Sequence, residues 1–333
     1  MRNTFSLPML MPVLAAAWLG VVGPAAAEPN VVASIKPIHS LAAGVMEGVG
    51  TPTLLVEGAG SAHGYAMRPS DARALARADV VFWVGEGLET YMVGPLAELA
   101  GNARVVALAE ARGVALLPLR EGIAWEVHDH EHHGEAADED HHDADGHHGE
   151  AHDNTDHRRA GYDAHIWLDP DNARWIVAAM AETLSEVDPE NAEVYRANAD
   201  RLAGRIAILD RELAARLAPV DDIPYVVFHD AYQYFEDHYD LAAVGSITLS
   251  PELAPGAHRL REIREKIVTL RARCVFSEPQ FEPALVETVR KGTAARTGVL
   301  DPLGGALEDG PDLYFELMRS LAGSLRACLS ESS

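Results

Sequence analysis

Three observations predict an α/β fold of two lobes with parallel sheets. Short β-branched, apolar runs alternate with helical patterns in two separate stretches of the chain, as buried parallel strands and their covering helices do. One long helical pattern lies between the two stretches. With 333 residues and a hydrophobic share of 48%, the chain can bury one large core or two modest ones. We therefore expect two lobes of the same architecture, joined by a long helix.

The first 27 residues are interpreted as an export signal. Arg2 precedes an apolar stretch at 7–22, and Ala25 and Ala27 form the small-residue pattern of a cleavage site. A retained membrane anchor is the alternative, but the apolar stretch is shorter than the roughly 20 residues that a spanning helix needs. We expect cleavage after Ala27. No cysteine lies near that point, so a lipid anchor is not expected.

The N-terminal lobe is predicted over residues 28–187. Four apolar runs, which are expected to be buried strands of a parallel sheet, lie at 31–35, 53–56, 79–84 and 104–108. Between the second and third runs, Ser70 is expected to start a helix, because its hydroxyl can accept an early backbone N–H. Strands that alternate with helices in this way indicate βαβ units.

An acidic, histidine-rich segment at 125–160 interrupts this pattern. It contains almost no side chain that could pack, so we expect a flexible loop. Between Glu126 and Asp156 it carries twelve acidic residues and neither Lys nor Arg, which supplies half of the formal net charge of −24. Such an acidic chain is not expected to bind nucleic acid. The ten histidines of the segment are His128, His130, His132, His133, His141, His142, His147, His148, His152 and His157.

A long linking helix is predicted over residues 188–218. Asp188 can cap it, and Pro189 suits its first position. Six apolar residues fall along one face at spacings of three, four and eight. They are Val194, Leu202, Ile206, Leu209, Leu213 and Leu217. At 1.5 Å per residue the helix would be about 43 Å long, which suits a spine between two lobes.

The C-terminal lobe is predicted over residues 219–333. Its apolar runs, again expected to be strands, lie at 223–228, 242–247, 273–276 and 297–300, and a last helix is expected across 312–327. The two cysteines of the chain, Cys274 and Cys328, both fall in this lobe. In an exported protein such a pair more often forms a disulfide than stays free.

Three histidines outside the acidic segment fall where α/β proteins bind ligands, beyond the carboxyl ends of strands. His63 follows the second strand, His229 ends the fifth, and His165 begins the stretch after the acidic segment; Asp301 follows the last strand. Each alone is more often structural, and an Asp before Pro usually forms a turn. Together, three imidazoles and one oxygen ligand suit tetrahedral Zn²⁺, whereas Mn²⁺ favours more carboxylates.

The three remaining histidines are not expected to bind metal. His39 is assigned to the start of a helix after Lys36-Pro37, and His238 and His258 are expected to be solvated. The candidate metal ligands are therefore limited to one group of four residues and to the histidine-rich segment.

Six motifs resemble one family, the periplasmic zinc-binding receptors of high-affinity zinc ABC importers. The likeness covers essentially the whole mature chain, and the combination is specific although each motif alone would be weak. The motifs are the acidic histidine-rich segment, Ile35-Lys-Pro-Ile-His-Ser40, His63-Gly-Tyr-Ala-Met-Arg-Pro-Ser-Asp71, Ala164-His-Ile-Trp-Leu-Asp-Pro170, Phe228-His-Asp-Ala-Tyr232 and Phe276-Ser-Glu-Pro-Gln-Phe281.

The resemblance implies two (β/α)4 lobes joined by a single long α-helix, with the metal bound in the cleft between them. It maps the ligand histidines of the family to His63, His165 and His229, and its carboxylate ligand to Asp301. Some members have a Glu close to the first ligand histidine, whereas Ala62 precedes His63 in this chain. The fourth ligand is therefore expected to be Asp301 or water.

The resemblance also implies the cargo and the partners. Zn²⁺ is the expected ion, and a membrane permease of a zinc ABC importer is the expected partner. An auxiliary periplasmic zinc chaperone is a second candidate partner. The protein is expected in the periplasm as a monomer, and Cys274 and Cys328 correspond to a disulfide that some zinc receptors carry.

Two rival functions and the role of the histidine-rich segment stay open at this stage. A periplasmic zinc-storage protein or metallochaperone would use the segment as its binding site, with the lobes as support. A zinc hydrolase could use three histidines to activate water. However, no HExxH motif occurs in the chain, and Glu278 and Asp230 are the nearest candidate bases. In a receptor, the segment is expected to bind additional zinc more weakly than the cleft.

Overall fold

A computed structural model describes residues 28–58, 60–120, 161–248, 255–281 and 284–330. The N-terminal lobe contains a four-stranded parallel sheet in the order β2-β1-β3-β4. Its strands are β1 (Val31–Ala33), β2 (Thr53–Leu54), β3 (Val80–Trp83) and β4 (Arg104–Ala107). Its helices are α1 (Lys36–Val45), α2 (Pro69–Arg77), α3 (Val93–Leu99) and α4 (Pro170–Val187).

The start of α2 differs from the prediction for Ser70. Arg68 is the N-cap residue and Pro69 occupies the first helical position. A backbone N–H at this position has no partner within the helix, so its absence in proline costs no hydrogen bond. The carboxylate of Asp71 accepts the backbone N–H of Arg68 at 2.8 Å. The helix therefore begins earlier than predicted. The hydrogen bond to the carboxylate of Asp71, the third helical residue, replaces the cap expected from the hydroxyl of Ser70.

The long helix α5 (Ala192–Leu217) links the two lobes. A 3-10 turn at Pro189–Asn191 precedes it, so regular α-helix begins a few residues after the predicted start at 188. Five of the six predicted apolar residues are buried, but Val194 is 40% exposed and the neighbouring Tyr195 is buried instead. The hydroxyl of Tyr195 donates to Asp188 at 2.7 Å, which gives the polar end of this buried side chain a partner.

The C-terminal lobe repeats the architecture of the first, with the sheet order β6-β5-β7-β8. Its strands are β5 (Tyr225–His229), β6 (Ala243–Thr248), β7 (Cys274–Ser277) and β8 (Arg296–Val299). Its helices are α6 (Gln233–His238), α7 (Ala257–Thr269), α8 (Ala284–Arg290) and α9 (Leu313–Leu329). The expected disulfide between Cys274 and Cys328 ties β7 to α9. The predicted α/β class with two parallel sheets is thus confirmed.

The edge strands β4 and β8 are less buried than predicted. Every residue of β1 and β5 is buried, whereas Val105 of β4 and Val299 of β8 are 37% and 52% exposed. An edge strand has a neighbour on one side only, so one of its faces stays near solvent. The expectation that all strands are buried on both faces is therefore wrong for these two, and also for the edge strand β2, whose Thr53 is exposed.

Both lobes share one hydrophobic core that runs along the spine. Helix α5 packs against α1 and α4 of the first lobe and against α9 of the second, and α1 also packs on α9. Polar contacts reinforce this junction. The indole N–H of Trp167 donates to the carbonyl of Pro302 at 2.9 Å, and the hydroxyl of Tyr314 donates to the carbonyl of Trp167 at 3.1 Å. Close-packed interiors resist large displacement, so wide opening of the lobes is not expected.

Two predicted segments lie outside the described residues. They are the export signal at 1–27 and the histidine-rich segment at 125–160. Within the described ranges, none of the helices combines the length and the apolar character needed to cross a membrane.

Candidate metal centre

Three histidines meet between the two lobes, each delivered by a different element. His63 lies in the loop that connects β2 to α2, and His229 is the last residue of β5. His165 immediately precedes a 3-10 turn at Ile166–Leu168, which leads into α4. His63 follows a parallel strand and His229 ends one, at the strand ends where α/β folds bind their ligands. The structure therefore brings together the three histidines that the sequence singles out.

The separations between the imidazoles suit one shared metal ion. Nε2 of His165 lies 3.3 Å from Nε2 of His63 and 3.4 Å from Nε2 of His229. Two nitrogens bound to one Zn²⁺ at about 2.05 Å with a tetrahedral angle are about 3.3 Å apart. The donor set and its spacing thus fit a zinc ion placed between the three rings.

Two carboxylates fix the orientation of the buried ligands. Nδ1 of His165 lies 2.7 Å from Oδ1 of Asp163, and Nδ1 of His229 lies 2.6 Å from Oε1 of Glu278. When Nδ1–H donates to a carboxylate, Nε2 is left unprotonated and free to bind a metal, and its basicity rises. Both histidines therefore turn the required nitrogen toward the shared point.

The contacts that Asp163 and Glu278 make with two of the histidines are a finding of the structure. Asp163 stands two residues before its histidine, and Glu278 directly follows β7, the neighbour of the strand that ends in His229. Metal-bound histidines usually engage a carboxylate through their second nitrogen. This rule could have indicated both residues from the sequence.

The electrostatic setting favours a neutral His63. Burial, together with the neighbouring His165 and His229, lowers the pKa of His63 to about 2. A neutral imidazole keeps the lone pair that a metal needs. Protons therefore compete weakly with a metal at this residue.

The space beside the imidazoles is small and largely apolar. The cavity measures about 20 Å³, and its walls include Leu88, Trp167, Phe281 and Leu303. A volume of this size holds one water or one ion and excludes an organic solute. An apolar wall lowers the local dielectric constant, which strengthens the attraction between a cation and its ligands.

Asp301 does not join the cluster of nitrogens. Among the described residues, only the three histidines offer ligand atoms that lie within 4.8 Å of one another at this site. Oδ1 of Asp301 accepts the side-chain amide of Gln280 at 2.8 Å and the backbone N–H groups of Leu303 and Gly304 at 3.1 Å. Oδ2 accepts the N–H of Gly305 at 2.7 Å. Asp301 thus shapes the turn that forms one wall of the cavity.

His238 is not solvated, contrary to the prediction. Its Nδ1 lies 3.2 Å from Asp169 and its Nε2 lies 2.9 Å from Asp210, with only 20% of its side chain exposed. Burial opposes protonation, but the hydrogen bonds to both carboxylates prevail and raise its pKa to about 9. His238 joins α6 to α5 and to the start of α4. Because both of its ring nitrogens already contact carboxylates, we assign His238 a structural role at the junction of these three helices.

The other two histidines differ from one another. His258 is exposed, as predicted. His39 lies within α1 and is buried, with Nε2 at 3.0 Å from the carbonyl of Pro52. It therefore has a structural contact within the first lobe.

The fold and the site together define a class of protein, a two-lobed solute receptor whose ligand is a single metal ion. A family described as "Zinc-uptake complex component A periplasmic" matches residues 31–328. The chain belongs to this family, which consists of receptors and not of enzymes.

Named relatives agree with this assignment. The "High-affinity zinc uptake system protein ZnuA" of Brucella suis biovar 1 is 51% identical over 352 aligned residues, covering 99% of this chain and 100% of the relative. The protein of the same name from Yersinia pestis is 37% identical over 310 residues, covering 91% of this chain and 92% of the relative.

Solved structures share the fold. A structure titled "Crystal structure of ZnuA" has a TM-score of 0.71 at 21% identity, covering 91% of this chain and 99% of the other. A manganese-bound periplasmic metal-binding protein from Candidatus Liberibacter asiaticus has a TM-score of 0.70 at 18% identity, covering 90% of this chain and 100% of the other. At these identities the likeness supports the fold alone.

Proposed function

We propose that this protein captures Zn²⁺ in the periplasm and delivers it to the membrane permease of a zinc ABC importer. The observation that carries the proposal is the convergence of three imidazole Nε2 atoms, 3.3 and 3.4 Å apart, from both lobes. Family membership and relatives named for high-affinity zinc uptake support the choice of ion and process. The export signal predicted at 1–27 supports the location.

Zinc is favoured over manganese by the donor set. Three neutral imidazoles suit the borderline character and tetrahedral geometry of Zn²⁺, whereas Mn²⁺ favours more oxygen ligands and a larger coordination number. The two nearby carboxylates, Asp163 and Glu278, each already engage an imidazole nitrogen through one oxygen. The centre therefore offers nitrogen to the ion.

The fourth ligand is Asp301 or water. Asp301 accepts three hydrogen bonds from its own turn and a fourth from Gln280. This favours water, because the carboxylate would have to exchange part of this network for the metal. Substituting Asp301→Asn and recording the visible absorption of the Co²⁺-loaded protein separates the two. Loss of the tetrahedral spectrum identifies a ligand, and a retained spectrum identifies water.

Release is expected to use small movements near the ligands. The shared core resists wide rotation of the lobes, and His63 is the ligand on a loop, half-buried, whereas His165 and His229 are almost fully buried. Docking on the permease would then withdraw the loop that carries His63 before the other ligands move.

The histidine-rich segment is assigned an auxiliary role. Its ten histidines interleaved with acids are suited to bind additional zinc more weakly than the cleft. Calorimetric titration of a variant without residues 125–160 tests this role. Fewer zinc equivalents with a retained tight site support it, and an unchanged stoichiometry would overturn it. Loss of all zinc binding would favour the storage or metallochaperone function instead.

A zinc hydrolase is disfavoured by the site. The cavity admits one ion or water, which leaves no room for an organic substrate at the metal. Of the two candidate bases, Glu278 holds His229 and Asp230 pairs with Arg120. Each of these carboxylates thus already has a side-chain partner.

Substitution of the ligands tests the proposed function. His63→Ala and His229→Ala are each expected to abolish the tight phase of zinc binding, measured by competition with a chromophoric chelator. His258→Ala removes an exposed histidine and serves as the matched control, with wild-type affinity expected. If both ligand variants retain the tight phase, the cleft is not the receptor site.

A further inference from the structure

A paired segment, which we call the stem, lies beside helix α6 of the C-terminal lobe. The stem consists of residues 117–120 and 161–163. Pro118 and Tyr162 form an antiparallel bridge between its two halves. The stem lies in the part of the sequence that forms the first lobe, but it contacts side chains of the second lobe.

The first contact that holds the stem to the second lobe is made by the hydroxyl of Tyr234, in α6. It accepts the backbone N–H of Leu117 at 3.0 Å and donates to the carbonyl of Asp163 at 2.8 Å. The N–H of Asp163 in turn donates to the carbonyl of Leu117 at 2.9 Å. A single side chain of the second lobe thus holds both halves of the stem.

The second contact is ionic and is made by Arg120. Its Nη1 lies 3.1 Å from Oδ1 of Asp230 and 2.7 Å from Oε2 of Glu236. The three side chains are 19%, 9% and 2% exposed, respectively. Water screens such a group poorly, so loss of the cation leaves two shielded carboxylates close together without compensation.

Both contacts involve a residue next to a candidate metal ligand. Asp230 directly follows His229 in the chain. Asp163, which Tyr234 holds through its carbonyl, in turn holds the imidazole of His165 through its carboxylate. The stem therefore connects the element that carries His165 to the element that carries His229.

We propose that Arg120 is a positioning residue of the metal centre. By pairing with Asp230 and Glu236, it holds the stem, and with it His165, at the separation from His229 that a shared Zn²⁺ requires. This inference rests on the proposed zinc-receptor function. Because Arg120 does not touch the ion, its loss removes no ligand; it lets His165 shift from its position and mainly speeds zinc release.

Three variants separate the role of the Arg120 charge from that of the Tyr234 hydroxyl. Arg120→Ala removes the cation. Arg120→Lys keeps one positive charge but loses the planar guanidinium that can face two carboxylates, so partial rescue is expected. Tyr234→Phe removes only the hydroxyl. Arg174→Ala is the matched control, because Arg174 pairs with the exposed Asp171 on the surface of α4, away from the stem.

Zinc release from the full-length protein, loaded with one equivalent, is measured by mixing with an excess of chromophoric chelator. The cleft phase is identified as the slow phase that His63→Ala abolishes. Arg120→Ala is expected to accelerate this phase about tenfold, the lower end for residues that support metal ligands indirectly. Arg120→Lys should fall between it and wild type, Tyr234→Phe should also accelerate release, and Arg174→Ala should match wild type.

The visible spectrum of the Co²⁺-loaded protein gives a second readout. A displaced His165 changes the intensity and position of the absorption bands, whereas a merely structural role for Arg120 leaves them unaltered. Wild-type release and a wild-type spectrum in folded Arg120→Ala would overturn the inference. If Arg120→Ala does not fold, wild-type release in both Arg120→Lys and Tyr234→Phe would overturn it. If wild type lacks a slow phase that depends on His63, the proposed receptor function fails as well.

Discussion

Oδ1 of Asp163 lies 2.7 Å from Nδ1 of His165 and also accepts the backbone N–H of the same histidine at 3.0 Å. One carboxylate oxygen thus fixes both the main chain and the ring of a candidate ligand. The arrangement determines which ring nitrogen faces the cleft, and Glu278 holds His229 in the same way. The metal centre therefore depends on residues that do not touch the ion.

Asp163→Asn is expected to weaken zinc binding about 10- to 100-fold, the range for partners that orient metal-bound histidines. The neutral amide holds the imidazole N–H less strongly and no longer raises the basicity of Nε2. Competition with a chromophoric chelator measures the affinity. Asp171→Asn, on the exposed surface of α4, is the matched control. Wild-type affinity in Asp163→Asn would show that the carboxylate does not orient a ligand.

Lys36→Met is expected to lower the free energy of unfolding by about 1–3 kcal/mol, the cost of leaving buried polar groups without partners. Lys36 is 4% exposed, and its ammonium group donates to the carbonyls of Gly305 and Leu307 at 3.3 and 2.6 Å. These contacts join α1 to the C-terminal lobe. Urea unfolding measures the change.

Arg201→Ala is the control for Lys36→Met. Arg201 forms a surface ion pair with Glu47, and exposed pairs contribute only about 0–1 kcal/mol. An equal loss of stability in the two variants would contradict the role assigned to Lys36.

His238 should make stability depend on pH in the alkaline range. Its pKa rises from 6.5 to about 9 on folding, despite burial, because Asp169 and Asp210 accept hydrogen bonds from both ring nitrogens. Its contribution is therefore fully present below pH 6.5 and is lost as pH rises through about 9. His238→Gln should cost about 1–2 kcal/mol near pH 6 and almost nothing near pH 10. Urea unfolding at both pH values tests this, and a cost that does not change with pH would refute it.

Reduction of the disulfide between Cys274 and Cys328 should destabilise the protein by about 4 kcal/mol in the chain-entropy model. The bond closes a loop with a sequence separation of 54 residues. Thermal or urea unfolding with and without reductant measures the effect. The double variant Cys274→Ala/Cys328→Ala should not respond to reductant. A wild-type protein that is equally insensitive would contradict the prediction.

Much of the fold is predictable because hydrophobic periodicity is a local property. Runs such as Val226-Val227-Phe228 predict strands, and the spacing from Leu202 to Leu217 predicts one face of a helix. Whether a strand lies at the centre or the edge of a sheet is not local. For that reason the partial exposure of Val105 and Val299 could be read only from the structure.

The site is predictable to the level of its histidines. Strand ends place His63 and His229 at the mouth of the cleft, and the regained pattern after the acidic segment indicates His165. The contacts that hold these ligands depend on residues far apart in sequence. Arg120 and Glu236 pair across both lobes, and Asp301 accepts the side-chain amide of Gln280, a residue outside its own turn. Such pairings follow from tertiary packing and leave no spacing pattern in one sequence.

The most direct test is a crystal structure of the zinc-loaded protein, with the ion identified by anomalous scattering at the zinc absorption edge. We expect one strong peak between the lobes at about 2.0–2.2 Å from Nε2 of His63, His165 and His229. A peak bound by residues of the 125–160 segment alone, or one without contact to His229, would contradict the assignment of the cleft as the zinc-receptor site.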